Sequence, residues 1–161
     1  MNHPKTKSRL KNSAKVAVVA TGLIGGFEGL RLNAYPDPAT RGHPWTVCYG
    51  ETSGVKRGDS HSLAECKAML IQSLEKYAEA VERCITKPLP DARFIAYLSL
   101  SYNIGTGGFC KSSVARLYNA GQTQASCDYM LKYNRAAGMV FPGLTRRRVA
   151  ERALCLQGEL T

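Results

Sequence analysis

Two carboxylates stand apart from the other acidic residues of the chain. Glu28 ends a run of twelve uncharged residues, "VAVVATGLIGGF", positions 16 to 27, and Asp37 follows nine positions later in "GLRLNAYPD". A carboxyl group among Leu23, Phe27 and Leu30 has its neutral form favoured by desolvation, which suits a general acid. Asp37, expected at the tip of a hairpin, is better solvated and stays ionised. Two carboxylates with separated proton affinities, facing one cleft, meet the requirement for hydrolysis of a glycosidic bond. The competing reading is a pair of purely structural carboxylates.

The remaining candidates are weaker. Glu75, Glu79 and Glu82 stripe one helix face beside Lys76 and Arg83 and read as solvated surface. Asp59 and Asp91 suit turns or caps, while Asp128 and Glu151 sit in amphipathic helices where Arg or Lys can pair with them. His3, His43 and His61 are scattered over a tail, a turn and a helix start. No P-loop, dinucleotide fingerprint or nucleophile elbow occurs, so nucleotide chemistry has no support. Arg146, Arg147 and Arg148 fan over about 200° of a helix, so at least one faces solvent or a carboxylate.

The elements that must position Glu28 and Asp37 predict an α+β chain. An apolar helix carries Glu28, and alternating "LRLNAYPD" and "WTVCYGET" predict a β-hairpin or three-stranded sheet over about 30 to 58. "SLAE", Ser62 to Glu65, is a capping box that opens a helix running to about Cys84. "DARFIAYLSLSYNIG" is apolar all round, hence a central helix stopped at Gly105. Further helices are expected over 109–121, over 122 to about 138, and after the Phe141-Pro142-Gly143 break. A small sheet near the N-terminus is thus joined by a long helix to a helical lobe. The division of the chain is 1–27, a basic tail plus apolar segment, and 28–161, the main domain.

Composition limits partners and compartment. The 161 residues carry a net charge of +10, half of it from Lys5, Lys7, Arg9, Lys11 and Lys15. That balance favours an anionic partner: nucleic acid, a lipid headgroup surface or a polyanionic cell wall. Six cysteines show no zinc spacing, and on one helix Cys66 and Cys84 would lie about 27 Å apart. Three disulfides, implying an oxidising compartment, or a set of buried thiols both accommodate them. Residues 16 to 27 span about 18 Å as a helix, short of the roughly 30 Å hydrocarbon core. They fit a signal h-region, with a weak cleavage site at Ala20, or a first helix with Val19, Leu23 and Phe27 facing the core.

"EGLRLNAYPD" followed by "WTVCYGET" closely resembles the phage lysozymes, the T4-lysozyme-like endolysins of glycoside hydrolase family 24, in the lambdoid-phage type. "SLAECKAML", "LSYNIGTGGFCKSS" and "PGLTRRRVAERALCL" match in the same order, so the resemblance covers roughly residues 27 to 157. It implies a lysozyme-like α+β fold and a monomeric muramidase cleaving the β-1,4 bond between N-acetylmuramic acid and N-acetylglucosamine. No metal, organic cofactor or nucleic acid is implied. Glu28 becomes the general acid, Asp37 the residue that orients a water or stabilises the oxocarbenium-like transition state, and Thr46 a water-positioning residue. Arg147 or Arg148 becomes the partner of Glu28. The family's spacing of five residues between Asp and Thr would fall on His43; eight residues, Pro38 to Trp45, intervene here, and the matching "WTVCYG" favours Thr46. Glu51 stands where relatives have His.

The resemblance also pairs Cys48 with Cys66, Cys84 with Cys110, and Cys127 with Cys155. It makes residues 14–27 a short signal-arrest-release segment, with transient inner-membrane association and export to the periplasm. A lytic transglycosylase needs no water-activating partner, so Asp37 and Thr46 argue against it. A basic membrane-disrupting or nucleic-acid-binding module is the rival of another class.

Overall fold

The computed structural model describes residues 8–38 and 42–161. His3, Lys5 and Lys7 of the basic tail, and residues 39–41 of the expected hairpin tip, lie outside the described residues. A short helix α1 (Arg9–Asn12) precedes α2 (Ala14–Glu28), whose N-cap Ser13 accepts from the Val16 backbone amide. The chain then forms β1 (Arg31–Pro36) and β2 (Trp45–Cys48), antiparallel, with Tyr35 opposite Thr46 and Pro36 opposite Trp45. Among the described residues the rest of the expected sheet region contributes only isolated bridges, Asn33 to Ser60 and Val47 to Glu51.

The long helix α3 (Leu63–Cys84) starts on the capping box that its sequence carries. Ser62 Oγ accepts from the Glu65 amide, and the Glu65 carboxylate accepts from the Ser62 amide. Helix α4 (Asp91–Ile104) follows Pro90 and stops at Gly105, whose φ of 89° suits glycine. Apolar on all sides, α4 is the axis of the helical lobe: every side chain from Phe94 to Ser101 is buried. Helices α2, α3 and α8 (Pro142–Gln157) pack around it. One core results, running from Ile24 and Leu70 through Phe94 and Leu98 to Phe109 and Met130.

The structure departs from the sequence reading in four places. The helix expected over 109–121 is two, α5 (Thr106–Cys110) and α6 (Ser113–Asn119), because Ser112 Oγ accepts from the Ala115 amide and caps a new start. The helix expected to about 138 ends as α7 (Thr123–Tyr129) and a 3-10 turn. A hairpin of β3 (Arg135–Ala136) and β4 (Met139–Val140) follows. Ala137 and Gly138 both have positive φ, 49° and 77°, the geometry that tight hairpin turns require. Helix α8 begins at Pro142 rather than after the break, since proline fits a first helical turn without loss of a bond. On α2 the fully buried line is Val16, Ala20 and Ile24; Val19 and Leu23 flank it, and Phe27 is 36% exposed. The core stripe is therefore one position displaced from the expected one, and its last turn leaves the core.

Three cysteine pairs lie at disulfide distance: Cys48–Cys66 joins β2 to α3, Cys84–Cys110 joins α3 to α5, and Cys127–Cys155 joins α7 to α8. Seating of α2 on the sheet lobe depends on Gly25, where a Cβ would meet the Tyr49 ring at 2.9 Å. A Gly25→Ala substitution is expected to lower stability by about 1–3 kcal/mol through this overpacking, read as a lower urea midpoint at unchanged m-value.

Candidate active site

Glu28 is the last residue of α2, which brings its carboxylate to the rim of the helical lobe. Its side chain is 27% exposed and receives Arg147 Nη1 at 2.7 Å. Phe27 and Leu30 are both substantially exposed. These side chains leave Glu28 open to solvent on one side, and a guanidinium from α8, 119 positions away in sequence, faces the carboxylate. The same guanidinium lies over the Phe27 ring at 5.1 Å.

Arg147 is held from behind. Its Nη2 donates to the Ser99 carbonyl at 3.1 Å and its Nε to Glu151 Oε1 at 3.1 Å. Glu151 is 0% exposed; its Oε1 also accepts from Ser99 Oγ at 2.6 Å and from Arg148 Nη2 at 3.1 Å. Arg148 Nε lies 2.8 Å from Oε2, an ion-pair approach without the direction of a hydrogen bond. Burial pushes the Glu151 carboxyl above the usual carboxylate range, opposed by Arg148, Ser99 and Arg147. Of the two arginines expected to partner Glu28, Arg147 does so, and Arg148 turns to Glu151. Arg146, the third of the run, is exposed.

A cleft of about 540 Å³ opens beside Glu28, lined by Phe27, Asn103, Phe141, Leu144, Arg146 and Arg147 among others. Tyr102, next to Asn103 at the end of α4, has its phenol pushed up to about 12 by burial and by the nearby Glu28 and Glu51 carboxylates. Ser73 Oγ of α3 donates its one proton to the Glu51 carboxylate, with the two oxygens at 2.7 and 2.9 Å. At this position, where the resemblance has His, the partner is thus a hydroxyl of α3.

Asp37 follows β1 directly, and its carbonyl accepts from the Gly42 amide at 2.9 Å. Thr46, 6% exposed, lies across from Tyr35. Strand alternation carried one residue past β1 puts Asp37 on the face of Tyr35 and Thr46. The hairpin thus sets Asp37 two residues beyond the partner of Thr46, while α8 brings Arg147 to Glu28. Asn103, Phe141 and Tyr102 were not singled out from sequence. "SYNIG" carried a signal for two of them, as part of a matching motif, whereas Phe141 lay in what read as a break.

A model of the phage lysozyme family matches residues 25–151. The SAR-endolysin of Enterobacteria phage P21 is 35% identical over 149 residues, covering 91% of this chain and 88% of that protein. This chain belongs to the phage lysozyme family. Solved structures agree with the lysozyme architecture. The endolysin from Escherichia coli O157:H7 phage FAHEc1 superposes with a TM-score of 0.79 at 29% identity, covering 94% of this chain and 96% of that one. The muramidase domain of SpmX from Asticaccaulis excentricus gives 0.77 at 30% identity, over 95% and 99% of the two chains. As a phage lysozyme the chain is a glycoside hydrolase whose polymer is peptidoglycan. These relatives lend no support to the transglycosylase or nucleic-acid-binding readings.

Proposed function

We propose that the chain hydrolyses the β-1,4 bond between N-acetylmuramic acid and N-acetylglucosamine, with Glu28 as the general acid that protonates the leaving oxygen. Asp37 orients the attacking water or stabilises the oxocarbenium-like transition state, and Thr46 helps to place that water. The observation that carries this reading is the Glu28 carboxylate, fixed by Arg147 at 2.7 Å on the wall of an open cleft. A carboxylate pinned by one oxygen at a cleft wall keeps its other oxygen for a substrate. Mass spectrometry of the products tests the reaction type: reducing muramic ends support hydrolysis, and 1,6-anhydro ends would overturn it.

Phe141 is 44% exposed on the cleft, and Phe27 stands near it beside Glu28. Sugar rings present apolar C–H faces that such phenyl rings cover. Phe141→Ala is expected to raise KM about five-fold, the equivalent of about 1 kcal/mol of lost apolar burial. The value of kcat stays within about two-fold, as for an interaction equal in ground and transition states. Initial rates on purified peptidoglycan fragments check the split.

The chain acts as a monomer on the periplasmic side of the host envelope. Residues 1–27 serve export, a basic tail followed by residues 14–27 as the signal-arrest-release segment that holds the enzyme at the inner membrane before release. Relatives named SAR-endolysins at 34–35% identity support that route. Among the described residues no helix is long and apolar enough to cross a membrane. Glycines at 22, 25 and 26 lower the apolarity of α2, and in the folded chain the same helix carries Glu28.

A further inference from the structure

We infer that Glu151 is a positioning residue for Glu28, acting through Arg147; the inference rests on the reading of Glu28 as the catalytic acid. Glu151 touches no cleft. It is fully buried at the back of α8, and its one carboxylate is shared between two guanidinia. The bond from Arg147 Nε fixes the plane of that guanidinium, and the Ser99 carbonyl holds Nη2. The only nitrogen then left to point at the cleft is Nη1, which meets Glu28. A planar fork held at two of its three nitrogens has no rotamer freedom at the third, so Glu151 sets where Glu28 stands.

The second consequence is electrostatic. Arg147 and Arg148 bring two positive charges, and Glu151 and Glu28 bring two negative ones. Glu151 neutralises part of the charge that Arg147 presents to Glu28. Without it, Glu28 alone would offset Arg147, with the Arg148 cation buried behind, and the protonated form of the acid would be less favoured. The other charged or titratable groups that share the cleft or interact with Glu28 are Arg146 on the cleft wall and Tyr102 of α4, which also feels Glu51. The path from Glu151 to Glu28 runs through Arg147, which bonds both carboxylates, so a change at Glu151 reaches Glu28 by way of that guanidinium.

The test is the pH dependence of kcat/KM on soluble peptidoglycan fragments for the full chain and its variants. Glu151→Gln keeps the shape of the side chain and removes its charge. The alkaline limb, which reports loss of the proton from the acid, is expected to move about one pH unit lower, with KM nearly unchanged. Arg148→Met removes the cation that competes for Glu151, and the limb is expected to move higher. Opposite displacements from two buried neighbours are not produced by a loss of stability, which lowers the rate at every pH. If Glu151→Gln does not fold, Arg148→Met decides alone. A limb that stays in place in the folded variants, or falls in Arg148→Met, overturns the inference. Glu28→Gln is run beside them: if it retains wild-type activity, the assignment of the acid is what has failed, and the pH limb belongs to another group.

Discussion

Glu28→Gln is expected to abolish clearing of permeabilised Gram-negative cells, with the initial turbidity rate lower by about 10²–10⁴-fold, the usual contribution of a general acid. The substitution is close to a pure test of proton donation. Glutamine has the same shape, and its carbonyl oxygen still accepts from Arg147 Nη1, so the cleft wall between α2 and α8 persists. The exchange gives up an ion pair whose Glu28 side is 27% exposed and therefore screened by solvent. The urea midpoint should move little, and activity should collapse. A basic surface that disrupts membranes would be indifferent to the change, because it raises the net charge of +10 by one more unit. Wild-type clearing by the variant would end the enzymatic assignment of Glu28.

Removal of the Cys127–Cys155 pair is expected to have the largest effect on stability. The two residues are 28 positions apart and both wholly buried. Closure of a loop of that length in the unfolded chain corresponds to about 3.5 kcal/mol in the chain-entropy description. Against a typical total of about 5–15 kcal/mol, that is a large fraction. Position adds to magnitude. Cys155 lies one turn beyond Glu151 on α8, so the bond anchors the helix that carries the whole Arg147–Glu151–Arg148 cluster. The double variant Cys127→Ala/Cys155→Ala is expected to unfold at a markedly lower urea concentration, and its activity should be lost at a lower temperature than that of wild type. An unchanged midpoint would show that packing of α7 on α8 suffices without the bond.

Legibility in the sequence followed the range of the interaction. Helix α3 was readable to its ends because its signals are local: Ser62 and Glu65 bond each other, and Cys84 precedes the Pro88 and Pro90 punctuation. Helix α4 was readable as central because an element without a polar face has to be buried. The hairpin at 135–140 was not, since "NRAAGMV" continues a helical composition and only the two positive φ values at Ala137 and Gly138 reveal the turn. Nor was the split at Ser112, a residue that serves equally inside a weak helix or at the cap of a new one.

The site divides in the same way. By itself the sequence determined which carboxylate ends an uncharged helix, how far along the chain Asp37 follows, and that at least one of three consecutive arginines faces solvent or a carboxylate. Those are consequences of spacing and helical period, which reach only a few residues. Only the tertiary structure decided that Arg147 rather than Arg148 meets Glu28, that Phe27 and Leu30 stay exposed beside it, and that Glu151 is buried between two cations. A residue's surroundings are made by elements distant in sequence. Here α4 and α8 close over one another, exclude water, and leave each buried charge only the partners that lie within reach.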